Sequence, residues 1–113
     1  MNRVRGRDEG LVRVGVGALA SFPDGRGVVV RIGGRRLAVF RVGPTLYAID
    51  DSCPHRGFPL HDGTVSGLSV QCRTHGSCFN LVSGAVERGP AHRGVRVYRV
   101  EVVGDQVEVE VPA

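Results

Sequence analysis

Two short segments of the chain each carry one cysteine and one histidine. Cys53 and His55 stand in the segment DSCPHRG, and Cys72 and His75 stand in the segment QCRTHGS. Thiolates and neutral imidazoles are common protein ligands of zinc and of iron–sulfur clusters. Two facing loops of this kind would supply two thiolates and two imidazoles, so the four residues predict a metal site.

The spacing within each segment bears on which metal site this is. Residues two apart in an extended loop point the same way and lie about 6.5 Å apart. Cys53 and His55 can therefore hold two metal atoms of one compact cluster more easily than a single ion. Zinc also accepts two cysteines and two histidines, but its motifs usually pair cysteine with cysteine and histidine with histidine. The residues favour an iron–sulfur cluster and leave a structural zinc-binding module as an alternative.

The other cysteine and histidines are interpreted without a metal role. Cys78 makes the cysteine count odd, which does not suit a disulfide framework, and we interpret it as a small buried apolar residue, with a reactive thiol as the alternative. His61 and His92 have no cysteine at ligand spacing and are interpreted as surface residues. Three aspartates near the site are interpreted as turn residues: Asp50, Asp51 and Asp62.

The elements that must position the site are predicted to be β-strands. Gly33-Gly34 joins two β-branched or alternating runs, residues 28–32 and 35–42, and this dipeptide predicts a tight hairpin. Gly104-Asp105 joins the runs YRVEVV and QVEVEV, in which valine alternates with polar residues as in a hairpin with one wet face. No stretch of the sequence predicts a helix.

Length and composition predict one domain. A chain of 113 residues with 42% apolar residues and few aromatics builds its core largely from valine, which favours strands. We expect residues 1–10 to form a flexible, arginine-rich tail and residues 11–113 to form a single domain. Residues 51–92 carry all three cysteines and all four histidines, so this stretch is predicted to be a site-bearing insert.

Charge and hydropathy indicate which partners to expect. The net charge is +4, but the arginines alternate with valines along predicted strands and lack interleaved aromatics, so no nucleic-acid partner is predicted. No stretch approaches the roughly 20 apolar residues of a membrane-spanning helix. Asp8 and Glu9 also interrupt what would be the basic part of a signal peptide. We therefore expect a soluble, cytoplasmic protein.

The motif C-x-H…C-x-x-H followed by Gly76-Ser77, with VFRVGPTLYAIDD preceding CPHRG, resembles the Rieske [2Fe–2S] family, and in particular its soluble ferredoxins. The resemblance implies an all-β fold, an antiparallel sandwich or barrel-like base with a small cluster-binding subdomain. It implies one Rieske [2Fe–2S] cluster per chain. By resemblance, Cys53 and Cys72 hold the buried iron, and His55 and His75 hold the outer iron.

The same resemblance places further residues beside the cluster. It implies that Ser77 donates a hydrogen bond toward the cluster and that Pro90 lies in a loop next to it. Phe58 and Thr74 stand where the high-potential respiratory branch has two disulfide-forming cysteines, and Phe79 stands where that branch has a tyrosine hydroxyl. Fewer hydrogen bonds to the sulfurs predict a reduction potential in the lower half of the family range of about −150 to +300 mV.

The resemblance also implies the function. The protein would carry single electrons from a flavin-dependent ferredoxin reductase to a terminal oxygenase, as a component of that system and not as an enzyme by itself. A second interpretation is the small subunit of an assimilatory nitrite reductase, to which similar domains belong.

Overall fold

The computed structural model describes residues 10–113, which form eleven β-strands in three antiparallel sheets. The first sheet has the strand order β1-β11-β10, the second β2-β3-β4-β9 and the third β5-β6-β7-β8. The strands are β1 Leu11–Ala18, β2 Gly27–Ile32, β3 Arg35–Val42, β4 Thr45–Asp50, β5 Thr64–Ser66, β6 Ser69–Gln71, β7 Cys78–Asn80, β8 Val86–Arg88, β9 Val97–Tyr98, β10 Val100–Val103 and β11 Gln106–Pro112. Apart from one 3-10 turn at Leu19–Ser21, the described residues contain no helix. The predicted all-β class is confirmed. The predicted arginine-rich tail, 1–10, lies outside the described residues except for Gly10.

Both predicted hairpins are present. β2 and β3 pair antiparallel across Gly33-Gly34, where Gly33 has a φ of 60°, a backbone conformation that favours glycine. β10 and β11 pair across Gly104-Asp105. Alternate valines of β11 are buried, which is the one-sided pattern that the sequence predicts: Val107, Val109 and Val111.

The predicted strand YRVEVV is wrong as a single element. Tyr98 belongs to β9 and pairs with Ala48 of β4, whereas Val100 begins β10 and pairs with Val109 of β11. The chain changes sheets at Arg99, because the Tyr98 ring is buried and its hydroxyl donates a hydrogen bond of 2.5 Å to Asp50 on β4. This crossing ties the first two sheets together.

Strand β3 lies between two hydrophobic cores. Leu37 and Val39 point into a core shared with the first sheet, which we call the base core. Ala38 and Phe40 point the opposite way, into a core that also contains the buried parts of the site, which we call the tip core. Because successive residues of a strand face opposite sides, a strand buried on both faces reads as the continuous apolar run LAVF. β3 therefore fixes the site relative to the base.

The third sheet and three loops make up the tip. The first loop, residues 52–60, follows β4; the second, residues 72–77, joins β6 to β7; the third, residues 89–95, follows β8. We call these the first, second and third site loops. All of β5–β8 falls within residues 51–92, the stretch in which the sequence places the site.

Candidate metal centre

The first site loop is closed by two backbone hydrogen bonds around its cysteine. The Cys53 amide donates to the Phe58 carbonyl at 2.8 Å, and the Gly57 amide donates back to the Cys53 carbonyl at 2.6 Å. Gly57 has a φ of 78°, which side-chain-bearing residues rarely adopt. The loop therefore needs glycine four residues after the cysteine.

The second site loop repeats this pattern. The Cys72 amide donates to the Ser77 carbonyl at 2.8 Å, and the Gly76 amide donates to the Cys72 carbonyl at 3.1 Å, with a φ of 82° at Gly76. The same two bonds at the same spacing give both loops the same turn around their cysteines. The recurrence of C-x-x-x-G in both segments is visible in the sequence and could have predicted this likeness.

The two cysteines lie together in the interior. Cys53 and Cys72 are each only 2% exposed, belong to the tip core and are not joined by a disulfide. Burial raises the pKa of the Cys53 thiol, the backbone amides of His55 and Arg56 counteract this by hydrogen bonding, and the neighbouring Cys72 thiol raises it further. Two adjacent buried thiols are suited to bind a metal centre through their deprotonated sulfurs.

The two histidines lie together at the outer end of the same loops. The ring centroids of His55 and His75 are 5.0 Å apart, with planes at 85°, and the Phe58 ring lies 5.8 Å from that of His75. His55 Nδ1 is buried without a hydrogen-bond partner. Burial lowers the pKa of His55, and the nearby His75, Arg56 and His92 lower it further. A buried, unpartnered ring nitrogen costs free energy unless something binds it.

The donors are arranged in two pairs, thiols inside and imidazoles outside, and each site loop contributes one of each. Within residues 10–113, no three His, Cys, Asp or Glu side chains converge on a common point. Two unlike pairs suit a two-metal cluster with one thiolate-bound and one imidazole-bound metal. Such a cluster would bind the two free thiols and the unpartnered Nδ1 of His55. The residues therefore fit an iron–sulfur cluster.

Ser77 connects the second and third site loops. Its side chain is fully buried, and its Oγ accepts a 3.0 Å hydrogen bond from the Ala91 amide. Because that bond uses an acceptor position, the hydroxyl hydrogen is left to donate elsewhere. Pro90 precedes Ala91 in the exposed part of the third site loop. The predicted proline loop is thus anchored directly to the second site loop.

Asp51 is not the turn residue that the sequence suggested. It is fully buried, and its Oδ1 accepts hydrogen bonds from the Leu60 and His61 amides at 2.8 and 2.7 Å. Its Oδ2 lies 2.8 Å from His61 Nδ1 and 3.1 Å from Arg36 Nε. The Arg36 contact is an ion pair that lacks hydrogen-bond alignment, since Arg36 Nε has no hydrogen-bond partner. Asp51 thus holds both ends of the first site loop.

Two further expectations need correction. His61 is not a free surface residue, because its ring bonds Asp51, whereas His92 is exposed as expected. Cys78 is half-buried at the start of β7 and lies outside both cores, with its Sγ 3.6 Å from the Gly76 carbonyl oxygen. No sequence signal predicted that Asp51 would contact His61 and Arg36, because these residues lie 10 and 15 positions from it in the chain.

The comparison with known sequences identifies the domain. A profile of the Rieske [2Fe-2S] domain matches residues 13–99. Ferredoxin CarAc of Metapseudomonas resinovorans is 38% identical over 81 residues, which cover 72% of this chain and 76% of that protein. The ferredoxin subunit of an anthranilate 1,2-dioxygenase from Burkholderia cepacia is 34% identical over 96 residues, covering 85% of this chain and 89% of that protein.

Solved structures agree with the sequence comparison. The ferredoxin of carbazole 1,9a-dioxygenase from Nocardioides aromaticivorans superposes with a TM-score of 0.84 at 29% identity, covering 89% of this chain and 98% of its own. This chain also superposes on a chain in a complex of oxygenase and ferredoxin of carbazole 1,9a-dioxygenase. The TM-score is 0.80 at 35% identity, covering 86% of this chain and 91% of the other. A nitrite reductase small subunit from Mycobacterium tuberculosis superposes with a TM-score of 0.83 at 25% identity, covering 91% and 97%.

These findings confirm the resemblance stated from the motifs and replace the zinc alternative, since the matched domain is one whose cofactor is an iron–sulfur cluster. Across residues 10–113, no helix is long and apolar enough to cross a membrane. From the family profile and the ferredoxin relatives, the chain belongs to the Rieske [2Fe–2S] family, as a ferredoxin-type electron carrier with one Rieske cluster as its cofactor.

Proposed function

We propose that Cys53 and Cys72 bind the inner iron of the cluster and that His55 and His75 bind the outer iron. The main support is the pairing of the four side chains. The two thiols are adjacent and buried, the ring centroids of the two histidines are 5.0 Å apart, and His55 Nδ1 is buried without a hydrogen-bond partner. When bound, the cluster supplies reversible one-electron chemistry.

The surrounding residues would set how readily the protein accepts that electron. The backbone amides of His55 and Arg56 favour the thiolate form of Cys53 by lowering its pKa, and Ser77 has a hydroxyl hydrogen left to donate. Phe79 is buried in the tip core and has no hydroxyl to add a further bond. Arg73 would raise the potential by its charge, but it is exposed and lies 3.6 Å from Asp62, which offsets that charge. The family range of reduction potentials runs from about −150 to +300 mV, and we place the potential of this protein in the lower half of that range.

The proposed role is to carry electrons from a flavin-dependent ferredoxin reductase to a terminal oxygenase in the cytoplasm. The relatives named as ferredoxins of dioxygenase systems support this role, as does the match to a ferredoxin in complex with its oxygenase. The thiols are sealed from water, whereas the histidine end is partly exposed, so the electron would enter and leave at the histidine end. On this proposal the chain performs no catalysis by itself.

The nitrite reductase small subunit is the second candidate, and the similarity to such a subunit at 25% identity is the observation that favours it. The identities to the dioxygenase ferredoxins are higher, at 38% and 34%. A carrier dissociates from its partners, whereas a fixed subunit does not. Purification of the tagged chain from its native cells, followed by size-exclusion chromatography, should give the chain alone; co-elution with a large reductase subunit would favour the alternative.

The cluster and its ligands are tested by iron and sulfide analysis with electron paramagnetic resonance after reduction by dithionite. We expect two irons and two sulfides per chain and the low average g value of histidine ligation. His75→Cys should lower the potential or lose the cluster, because a thiolate adds negative charge. His92→Cys adds the same thiol at an exposed position of the third site loop and is the matched control. An unchanged spectrum and potential in His75→Cys would remove His75 from the proposed ligands.

A further inference from the structure

Four exposed arginines lie in or directly beside the three site loops, which carry the histidine end of the tip. Arg56 follows His55 in the first site loop, and Arg73 lies between Cys72 and His75 in the second. Arg88 ends β8, where it pairs in register with Cys78, and Arg93 lies in the third site loop. We call these residues, Arg56, Arg73, Arg88 and Arg93, the arginine ring. Each is exposed.

Of the four ring arginines, Arg73 alone forms an ion pair within residues 10–113. The three site loops contain three arginines and not a single aspartate or glutamate. The acidic residues nearest in sequence are Asp51, Asp62 and Glu87. Asp51 is buried and paired with Arg36 and His61, and Asp62 pairs with Arg73. The pKa of Glu87 is lowered because Asn80 and Ser69 donate hydrogen bonds to it. Within residues 10–113, the other three ring arginines form no ion pair. The histidine end is therefore a positively charged surface.

The base does not share this character. Leaving aside the tip, 52–95, the described residues carry eight arginines against seven aspartates and glutamates, so positive and negative charges there nearly balance. Arg13 and Arg36 are paired with acidic residues of the base. Of the net charge of +3 carried by the described residues (12 arginines against 9 aspartates and glutamates), +2 lies in the tip, the end where the electron would leave.

An exposed aromatic side chain beside His75 is suited to direct contact with a partner. Phe58 is 39% exposed, and its ring lies 5.8 Å from that of His75. An exposed aromatic side chain within a charged rim is the usual layout of a transient protein interface, in which the centre excludes water and the rim charges set orientation and association rate.

We infer that this face docks a redox protein whose own docking surface is acidic, with carboxylates placed to meet Arg56, Arg88 and Arg93 around an apolar contact for Phe58. The inference rests on the proposed function, because it names the kind of partner that the same site serves. Opposite charges raise association rates by factors of about 10 to 10³, and the gain is lost as salt shortens the Debye length from about 30 Å at 0.01 M to 8 Å at 0.15 M.

The test compares two forms of one electron acceptor. Cytochrome c has a basic docking face, and succinylation of its lysines converts that face to an acidic one. In each case one electron passes from the reduced cluster to the ferric haem, giving oxidised protein and ferrous cytochrome. At low ionic strength we expect the succinylated form to be reduced at least about tenfold faster than the native form, with the difference shrinking at physiological salt.

Charge variants locate the effect. Arg56→Gln with Arg93→Gln removes two charges from the ring, and Arg31→Gln with Arg99→Gln removes two exposed charges from the base as the matched control. Rates are compared at equal cluster content, measured by visible absorption. The ring variant should lose most of the preference for succinylated cytochrome c, and the base variant should keep it.

Three results would overturn the inference: equal or faster reduction of native cytochrome c, equal loss in both double variants, or binding of a short DNA duplex by the ring at physiological salt without a preference between the cytochromes. The last result would assign the ring to nucleic acid. Failure of the proposed function is distinguishable, because protein without a cluster would show no resonance signal and would reduce neither cytochrome, and the inference would then fall with it.

Discussion

Replacement of Asp51 tests how the first site loop is held in place. The carboxylate is fully buried and contacts the Leu60 amide, the His61 amide and ring, and the Arg36 guanidinium. Asp51 stands two residues before Cys53, and its amide contacts lie at the far end of the same loop. Asp51→Ala would therefore free both ends of the loop at once, whereas Asp51→Asn would keep the shape and one oxygen acceptor.

The size of the effect follows from these contacts. Removing one partner of a buried ion pair costs about 3–5 kcal/mol, but the Arg36 side chain is 38% exposed and can regain water, so the ion pair itself contributes less. Each buried amide left without an acceptor costs about 1–3 kcal/mol. We expect Asp51→Ala to lower the free energy of unfolding by about 3–5 kcal/mol, and Asp51→Asn by about 2 kcal/mol because Oδ1 can still accept both amide bonds.

The assay is thermal unfolding followed by circular dichroism, with iron content measured on the same samples. For a chain of this size, about 3 kcal/mol corresponds to a fall in Tm of at least roughly 12 °C. Iron should also be lost at a lower temperature than in the unaltered protein, because the loop that carries Cys53 and His55 is loosened first. Asp105→Ala is the matched control, since Asp105 lies in the exposed turn of the β10–β11 hairpin and should change stability by less than about 0.5 kcal/mol. A Tm for Asp51→Ala within about 3 °C of the unaltered protein would refute the reasoning.

Three further substitutions have defined outcomes. Ser77→Ala should cost about 1–3 kcal/mol of stability, because the buried Ala91 amide loses its acceptor. It should also lower the reduction potential, because the hydroxyl can no longer donate a hydrogen bond toward the cluster. An equal potential measured by potentiometry would contradict this hydrogen-bond role. Cys78→Ser should keep full iron and sulfide content, because the Cys78 thiol is not one of the four paired thiol and imidazole donors. Loss of iron in this variant would indicate that Cys78 is a ligand. Gly94→Ala should destabilise the protein measurably in thermal unfolding, because its new Cβ would contact the Gly84 carbonyl oxygen closely enough to force the backbone apart. Gly34→Ala, which meets no atom within 4 Å, should be nearly neutral, and equal effects of the two would contradict the packing argument.

The ligand candidates and the strand pattern were accessible from sequence because both depend on residues close together in the chain. C-x-H and C-x-x-H are local motifs, and the hairpin at Gly33-Gly34 follows from a local preference for positive φ. The alternating valines of β11 likewise follow from the two-residue period of a strand. Such features are determined by short-range sterics and periodicity, so one sequence is enough to read them.

The sheet change at Arg99 was not accessible in this way. YRVEVV reads as one continuous strand, yet Tyr98 pairs with β4 and Val100 with β11. Local propensity is the same for either pairing. The choice is made by the burial of the Tyr98 ring and its bond to Asp50, residues that are far apart in the chain.

By itself the sequence determined the all-β class, the two Cys–His segments and, through its motifs, the family. Only the tertiary structure decided that the thiols pair inside while the imidazoles pair outside, and that Asp51, His61 and Arg36 brace the first site loop. It also decided that the four arginines in and beside the site loops, at positions 56, 73, 88 and 93, are all exposed. The physical reason is the same in each case: ligand motifs and strand periods are short-range properties of the chain, whereas burial, ion pairing and a shared surface exist only once distant segments pack together.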